Sequence, residues 1–180
     1  RESLGIRREL AERFGAPELL RDLSVSLDNV GRVARAQGEW AQAETAYRES
    51  LDIARRLAER LATPEALRDL SVSLDNVSRV AEAQGDWAQA ETVYRESLDI
   101  ARRLAERLGT PEAQRDLSIS LNNVGGAAQV LGEWALAEAA YRESLDIRRR
   151  LAERLGTPEA QRGLSVSLAH LGRVAREQGE

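Results

Sequence analysis

The sequence predicts an all-α protein, an α-solenoid of helix-turn-helix units that recur every 47 residues. Three observations carry this. First, Trp40, Trp87 and Trp134 keep a step of 47, as do Tyr47, Tyr94 and Tyr141, and Pro17, Pro64, Pro111 and Pro158. Second, residues 17–63 and 64–110 differ at six positions: Leu19/Ala66, Gly31/Ser78, Arg35/Glu82, Glu39/Asp86, Ala46/Val93 and Ala62/Gly109. Third, apolar residues inside each unit fall in steps of three and four, the spacing of one buried helical face.

Taken in order, residues 1–16 match the end of a second helix, because Arg1-Glu2-Ser3-Leu4 returns as Arg48-Glu49-Ser50-Leu51. Three full units follow, 17–63, 64–110 and 111–157, and 158–180 reads as the first helix of a fourth. The chain is thus expected to be a single array that begins and ends inside a unit, with fraying or stacking at both ends. The second unit shows the local logic. Thr63-Pro64-Glu65 is a helix start, with a hydroxyl N-cap, proline at the first helical position and an acid at the positive end of the dipole. Leu67, Leu70, Leu74, Val77 and Ala81 form the buried stripe, and Gly85 supplies the left-handed residue that ends the helix. The second helix carries Trp87, Ala90, Tyr94, Ser97, Ala101, Leu104 and Leu108 on its stripe and closes at Gly109. Asp99 with Arg103, and Arg102 with Glu106, stand at i,i+4 on the outer side. Neither helix can bury its stripe alone, so neighbours must stack.

These residues resemble the tetratricopeptide repeat. Val30-Gly31, Ala34, Gly38 with Trp40, Ala43, Tyr47 and Ser50 fall at that family's spacing, and the pattern recurs in the next two units. The usual unit has about 34 residues; the surplus falls over 58–70 and lengthens both helices. Long units of this sort are similar to kinesin light chain repeats and to the sensor arrays of bacterial signalling ATPases. Leu121-Asn122-Asn123 carries the light-chain likeness, and Leu27-Asp28-Asn29 and Leu74-Asp75-Asn76 carry it less closely. The resemblance implies a right-handed superhelix whose first helices line a concave, ligand-binding face.

Composition narrows the function. Hydrophobic residues make up 42% and charged residues 31%, as in a folded soluble protein. The chain has no cysteine, hence no thiolate nucleophile, disulfide or cysteine metal site. No apolar run is long enough to cross a membrane and no signal-peptide pattern stands at Arg1, so a cytoplasmic protein without membrane partners is expected. All 26 basic residues are arginine, mixed finely with 30 acids for a net charge of −4. That mixture lacks the basic stripe that nucleic-acid binding needs. Arginine without lysine, beside much alanine and leucine, suggests a GC-rich bacterial genome.

On the face that the resemblance makes concave, polar residues recur in columns: Asn29, Asn76 and Asn123 with His170; Arg32, Arg79 and Arg173, broken by Gly126; and Asp28, Asp75 and Asn122. Asparagine carries a donor and an acceptor, so a ladder of them could hold the backbone of an extended peptide, and arginine would add carboxylate or phosphate recognition. The competing reading is a solvated face repeated by recent duplication. The single histidine makes neither a metal site nor a triad, the repeated Ser24 and Ser26 have no base partner and read as helix-surface or packing residues, and the tryptophans read as core wedges. The third unit is atypical. Gly125-Gly126 should weaken its helix, at about 1 kcal/mol per glycine, and Val130, Leu131 and Leu136 put apolar groups at the turn edge, as a contact patch or as drift.

The expected function is a protein-interaction scaffold that holds a peptide or protein segment, as part of a larger bacterial protein. The alternative is a structural spacer that self-associates through its ends or turn edge. No phosphate loop and no nucleophile with a base is present, so no enzyme, cofactor or metal is expected.

Overall fold

A computed structural model of the chain describes residues 2–178. Among them lie eight α-helices and no strand: α1 Glu2–Phe14, α2 Pro17–Ala36, α3 Trp40–Leu61, α4 Pro64–Ala83, α5 Trp87–Leu108, α6 Pro111–Val130, α7 Trp134–Leu155 and α8 Pro158–Gln178. They form two compact units, Arg1–Asp86 with α1 to α4 and Trp87–Glu180 with α5 to α8. Within each unit every helix packs on the next in sequence.

The punctuation works as the sequence suggests. Thr63 accepts a hydrogen bond from the Ala66 amide at 3.2 Å, and Thr110 and Thr157 do the same for Ala113 and Ala160. At the end of α2, Glu39 N–H reaches Ala34 O at 2.9 Å and Gly38 N–H reaches Arg35 O at 3.1 Å. This paired closure requires a left-handed residue, which Gly38 supplies at φ +78°. The second helices end in a simpler left-handed cap, at Gly109 and Gly156 with φ +62° and at Ala62 with φ +50°.

In the first unit Ala11, Leu23, Leu27, Ile53 and Leu57 form a buried cluster that joins α1, α2 and α3. In the second, Ala128, Ala137, Tyr141 and Val174 join α6, α7 and α8. Gly31 and Gly125 pack against tyrosine rings, at a position where the middle repeat has the buried Ser78. A Cβ at Gly31 would lie 2.5 Å from the Tyr47 ring, and one at Gly125 would lie 2.8 Å from the Tyr141 ring. Gly125 is thus a close-packing position, and burial of the ring is set against its cost to helix propensity.

Three details differ from expectation. Arg102 pairs across to Glu143 on α7 at 2.8 Å and not along its own helix to Glu106, because α5 and α7 bring the longer-range acid within reach. Trp40 is 37% exposed, whereas Trp134 is half-buried against the α6–α8 cluster together with Leu136. The residue equivalent to Leu136 in the first unit is Gln42, so the Trp40 edge lacks that apolar neighbour. Leu136 itself faces this cluster, which leaves Val130 and Leu131 as the exposed apolar pair at that turn.

Candidate functional site

The first helices of each unit present the polar columns. In the first unit α2 and α4 are tied by Arg21 to Asp69 at 2.7 Å and by the Asn76 amide donating to Asp28 Oδ1 at 3.5 Å. In the second unit α8 touches α6 directly.

The predicted residues divide into two groups. Asn29, Arg32, Arg79 and Arg173 are exposed. Arg32 donates to Asn29 Oδ1 at 2.9 Å, so the two form one solvent-facing polar group. Asp28, Asp75, Asn76, Asn122, Asn123 and His170 are half-buried. Asp28 accepts hydrogen bonds from Ser50 and Asn76, yet burial outweighs them and raises its carboxyl above the usual range. Here the asparagine column serves, in part, as a joint between successive first helices.

The same joint is rebuilt in the second unit with different groups. Position 122 is asparagine and position 170 is histidine, where the first unit has Asp28 and Asn76. Asn122 Oδ1 is buried and accepts no hydrogen bond from the protein. The His170 ring sits 4.9 Å from the Tyr141 ring, tilted by 40°. Its Nδ1 faces an Arg173 guanidinium nitrogen at 2.9 Å. Guanidinium only donates, so Nδ1 accepts and the ring proton lies on Nε2. Burial, then the Arg173 charge, hold this histidine below its usual pKa.

Beneath the columns the repeated serines pack as a linked set, a connection that the sequence reading did not foresee. Ser24, Ser50 and Ser73 are buried and linked, Ser24 to Ser50 at 2.9 Å and Ser50 to Ser73 at 3.5 Å. In the second unit Ser144 donates to Ser118 O at 3.0 Å and lies 3.4 Å from Ser167. Each trio stitches a first helix, its second helix and the next first helix. The signal was available, because a serine on the buried stripe of every second helix needs a polar partner. Among the described residues no group of three or more His, Cys, Asp or Glu could hold a metal ion, and no helix is long and apolar enough to cross a membrane.

The sequence model of the tetratricopeptide repeat matches residues 23–60, 70–107 and 118–154. A search of curated protein sequences finds no match. Among solved structures, the apo form of RapI is similar at TM-score 0.72 and 15% identity, over 99% of this chain and 56% of that one. The chain thus spans little more than half of that relative's length. A de novo designed helical repeat protein matches at TM-score 0.60 and 21% identity, over 97% and 89% of the two chains. The N-terminal domain of stress-induced protein-1 from C. elegans matches at 0.53 and 14%, over 82% and 96%. At such identities the likeness concerns the fold.

Proposed function

The chain belongs to the tetratricopeptide repeat family, and from that premise we propose that it holds a peptide or protein segment on the face of its first helices. The supporting observation is the exposed set Asn29, Arg32 and Arg79 on neighbouring helices α2 and α4. Arg32 and Asn29 present preorganised donors there, suited to backbone carbonyls or carboxylates. A cytoplasmic bacterial protein with further domains is the setting this reading assumes. The half-buried asparagines contribute less to binding, because their amides also join the helices. The test is a pull-down from bacterial lysate with the chain and with an Asn29→Ala, Arg32→Ala, Arg79→Ala variant of unchanged helicity. A partner held by the first and lost by the second supports the reading; one held equally by both removes it.

One observation favours a second reading, self-association without a peptide. Val130 and Leu131 are 55% and 39% exposed at adjacent positions of one turn. Sedimentation of a Val130→Gln, Leu131→Gln variant decides it: an oligomer that dissociates on substitution supports assembly, and a monomeric parent chain rejects it.

A further inference from the structure

Arg148 on α7 stands where α3 and α5 bury Ala54 and Ala101, and where α1 has Arg7, which finds acceptors in Asp22 O at 3.0 Å and Ser26 Oγ at 2.7 Å. On the facing first helix, the residue equivalent to Asp69 is Gly163. The two changes fit together, since a Cβ at Gly163 would lie 2.5 Å from Arg148 Nη1. They also undo an ion pair. In the first unit Arg21 pairs with Asp69 at 2.7 Å; its equivalent, Arg115, has glycine in place of that aspartate and carries no ion pair among the described residues.

The result is a cavity between α6, α7 and α8 of about 360 Å³, lined by Arg115 and Arg148 and by Ile119, Leu151 and Leu155. The equivalent site in the first unit, where Arg21 and Asp69 meet, encloses about 150 Å³. The larger volume enters the range of small-molecule sites and the smaller does not. Beside it, Arg148 Nε is buried and meets no acceptor of the protein, while the residue as a whole is half-buried. Burial and the nearby Arg115 charge both push the Arg148 guanidinium below its usual pKa, and Asp116 only partly opposes them. A half-buried guanidinium with one nitrogen lacking an acceptor, beside a second cation and apolar walls, suits an anion that brings its own acceptors.

We propose that this cavity binds a small amphiphilic carboxylate, with the carboxylate on the guanidinium groups of Arg148 and Arg115 and its aliphatic chain against Ile119, Leu151 and Leu155. Planar guanidinium matches a carboxylate in a two-bond fork. Glu112 and Glu159 also line the cavity, and their charges select a monoanion over a dianion and oppose an acidic peptide.

Calorimetric titration of the whole chain with octanoate and with octan-1-ol tests this. The control is an Arg148→Ala, Gly163→Asp variant, which restores the residues found at Ala54 and Asp69 and so keeps a combination the fold already accepts. Saturable octanoate binding, at least about tenfold tighter than octan-1-ol and at least about tenfold weaker in the helical variant, is the expected result. Absent octanoate binding, equal binding of the neutral alcohol, or equal binding by the variant would each overturn it. A leucine-terminated peptide that binds more than about tenfold tighter than octanoate through the same arginines would also overturn the small-molecule assignment.

Discussion

The α2–α3–α4 joint of the first unit and the α6–α7–α8 joint of the second occupy the same register, yet they solve the same packing problem with different charges. The first is self-contained. Arg21 meets Asp69, Ala54 fills its site without a polar atom, and Asp28 receives Ser50 and Asn76. In the second, Arg148 replaces the alanine, Gly163 the aspartate and His170 the asparagine, and two buried polar atoms, Arg148 Nε and Asn122 Oδ1, lack protein partners. What stays constant is the tyrosine against glycine, the leucine stripes and the buried serine trio. Shape therefore sets the repeat, and the polar groups beside it are free to change role.

The strongest way to break this contrast is to transplant it. Ala54→Arg places a guanidinium where Ala54 is 1% exposed and Asp69 still has its Cβ. The expected loss is about 2–3 kcal/mol in chemical denaturation, from overpacking and charge burial. Adding Asp69→Gly should recover most of it; a double variant no better than the single one would mean that the two positions are not coupled.

The converse change is smaller. Gly163→Ala should cost at most about 1 kcal/mol, because the new Cβ meets Arg148 Nη1, the movable end of a long side chain. In an Arg148→Ala background the sign should reverse, to a gain of about 0.5–1 kcal/mol from helix propensity. An unchanged sign would show that Arg148 moves aside freely.

Much of this comparison could be read from the residues themselves. The period of 47 and the Thr-Pro and glycine punctuation mark most helix boundaries, because caps and left-handed turns are local requirements; α2 starts after Ala16 and α3 is capped by Ala62, without those residues. The candidate face was legible only in part. Asn29 and Asn76 are equivalent in the repeat, yet one is exposed and the other reaches Asp28, 48 residues away. Periodicity says which residues share a helix side; it does not say how far the neighbouring helix covers that side. The cavity beside Arg148 needed both the break in the repeat and the clash at Gly163, and only packing couples the two.

A still smaller effect sharpens the comparison at the caps. Ala62 holds φ +50° where Gly109 and Gly156 hold φ +62°. Ala62→Gly should raise stability by about 0.5–1 kcal/mol, as left-handed strain outweighs the added freedom of the unfolded chain. Gly156→Ala should lower it by a similar amount. A melting temperature that falls for Ala62→Gly would contradict this.

The smallest effect is a difference of slope with pH, opposite in the two joints. Asp28 titrates above its ordinary 3.8 in the folded state, because burial disfavours its charge. The folded chain thus holds that proton more tightly, so its contribution is best below pH 3.8 and declines as pH rises through the folded pKa. His170 titrates below its ordinary 6.5. The folded chain holds that proton more weakly, so its contribution is full above pH 6.5 and is lost as pH falls through the folded pKa. Asp28→Asn should accordingly raise stability at neutral pH, by about 0.5 kcal/mol, since an amide keeps the acceptor without the buried charge. His170→Asn should leave neutral stability nearly unchanged and flatten the loss below pH 6.5. Denaturation midpoints of both variants and the parent, followed from neutral to acid pH, separate the two slopes. Parallel curves for all three would mean that neither joint senses its charge.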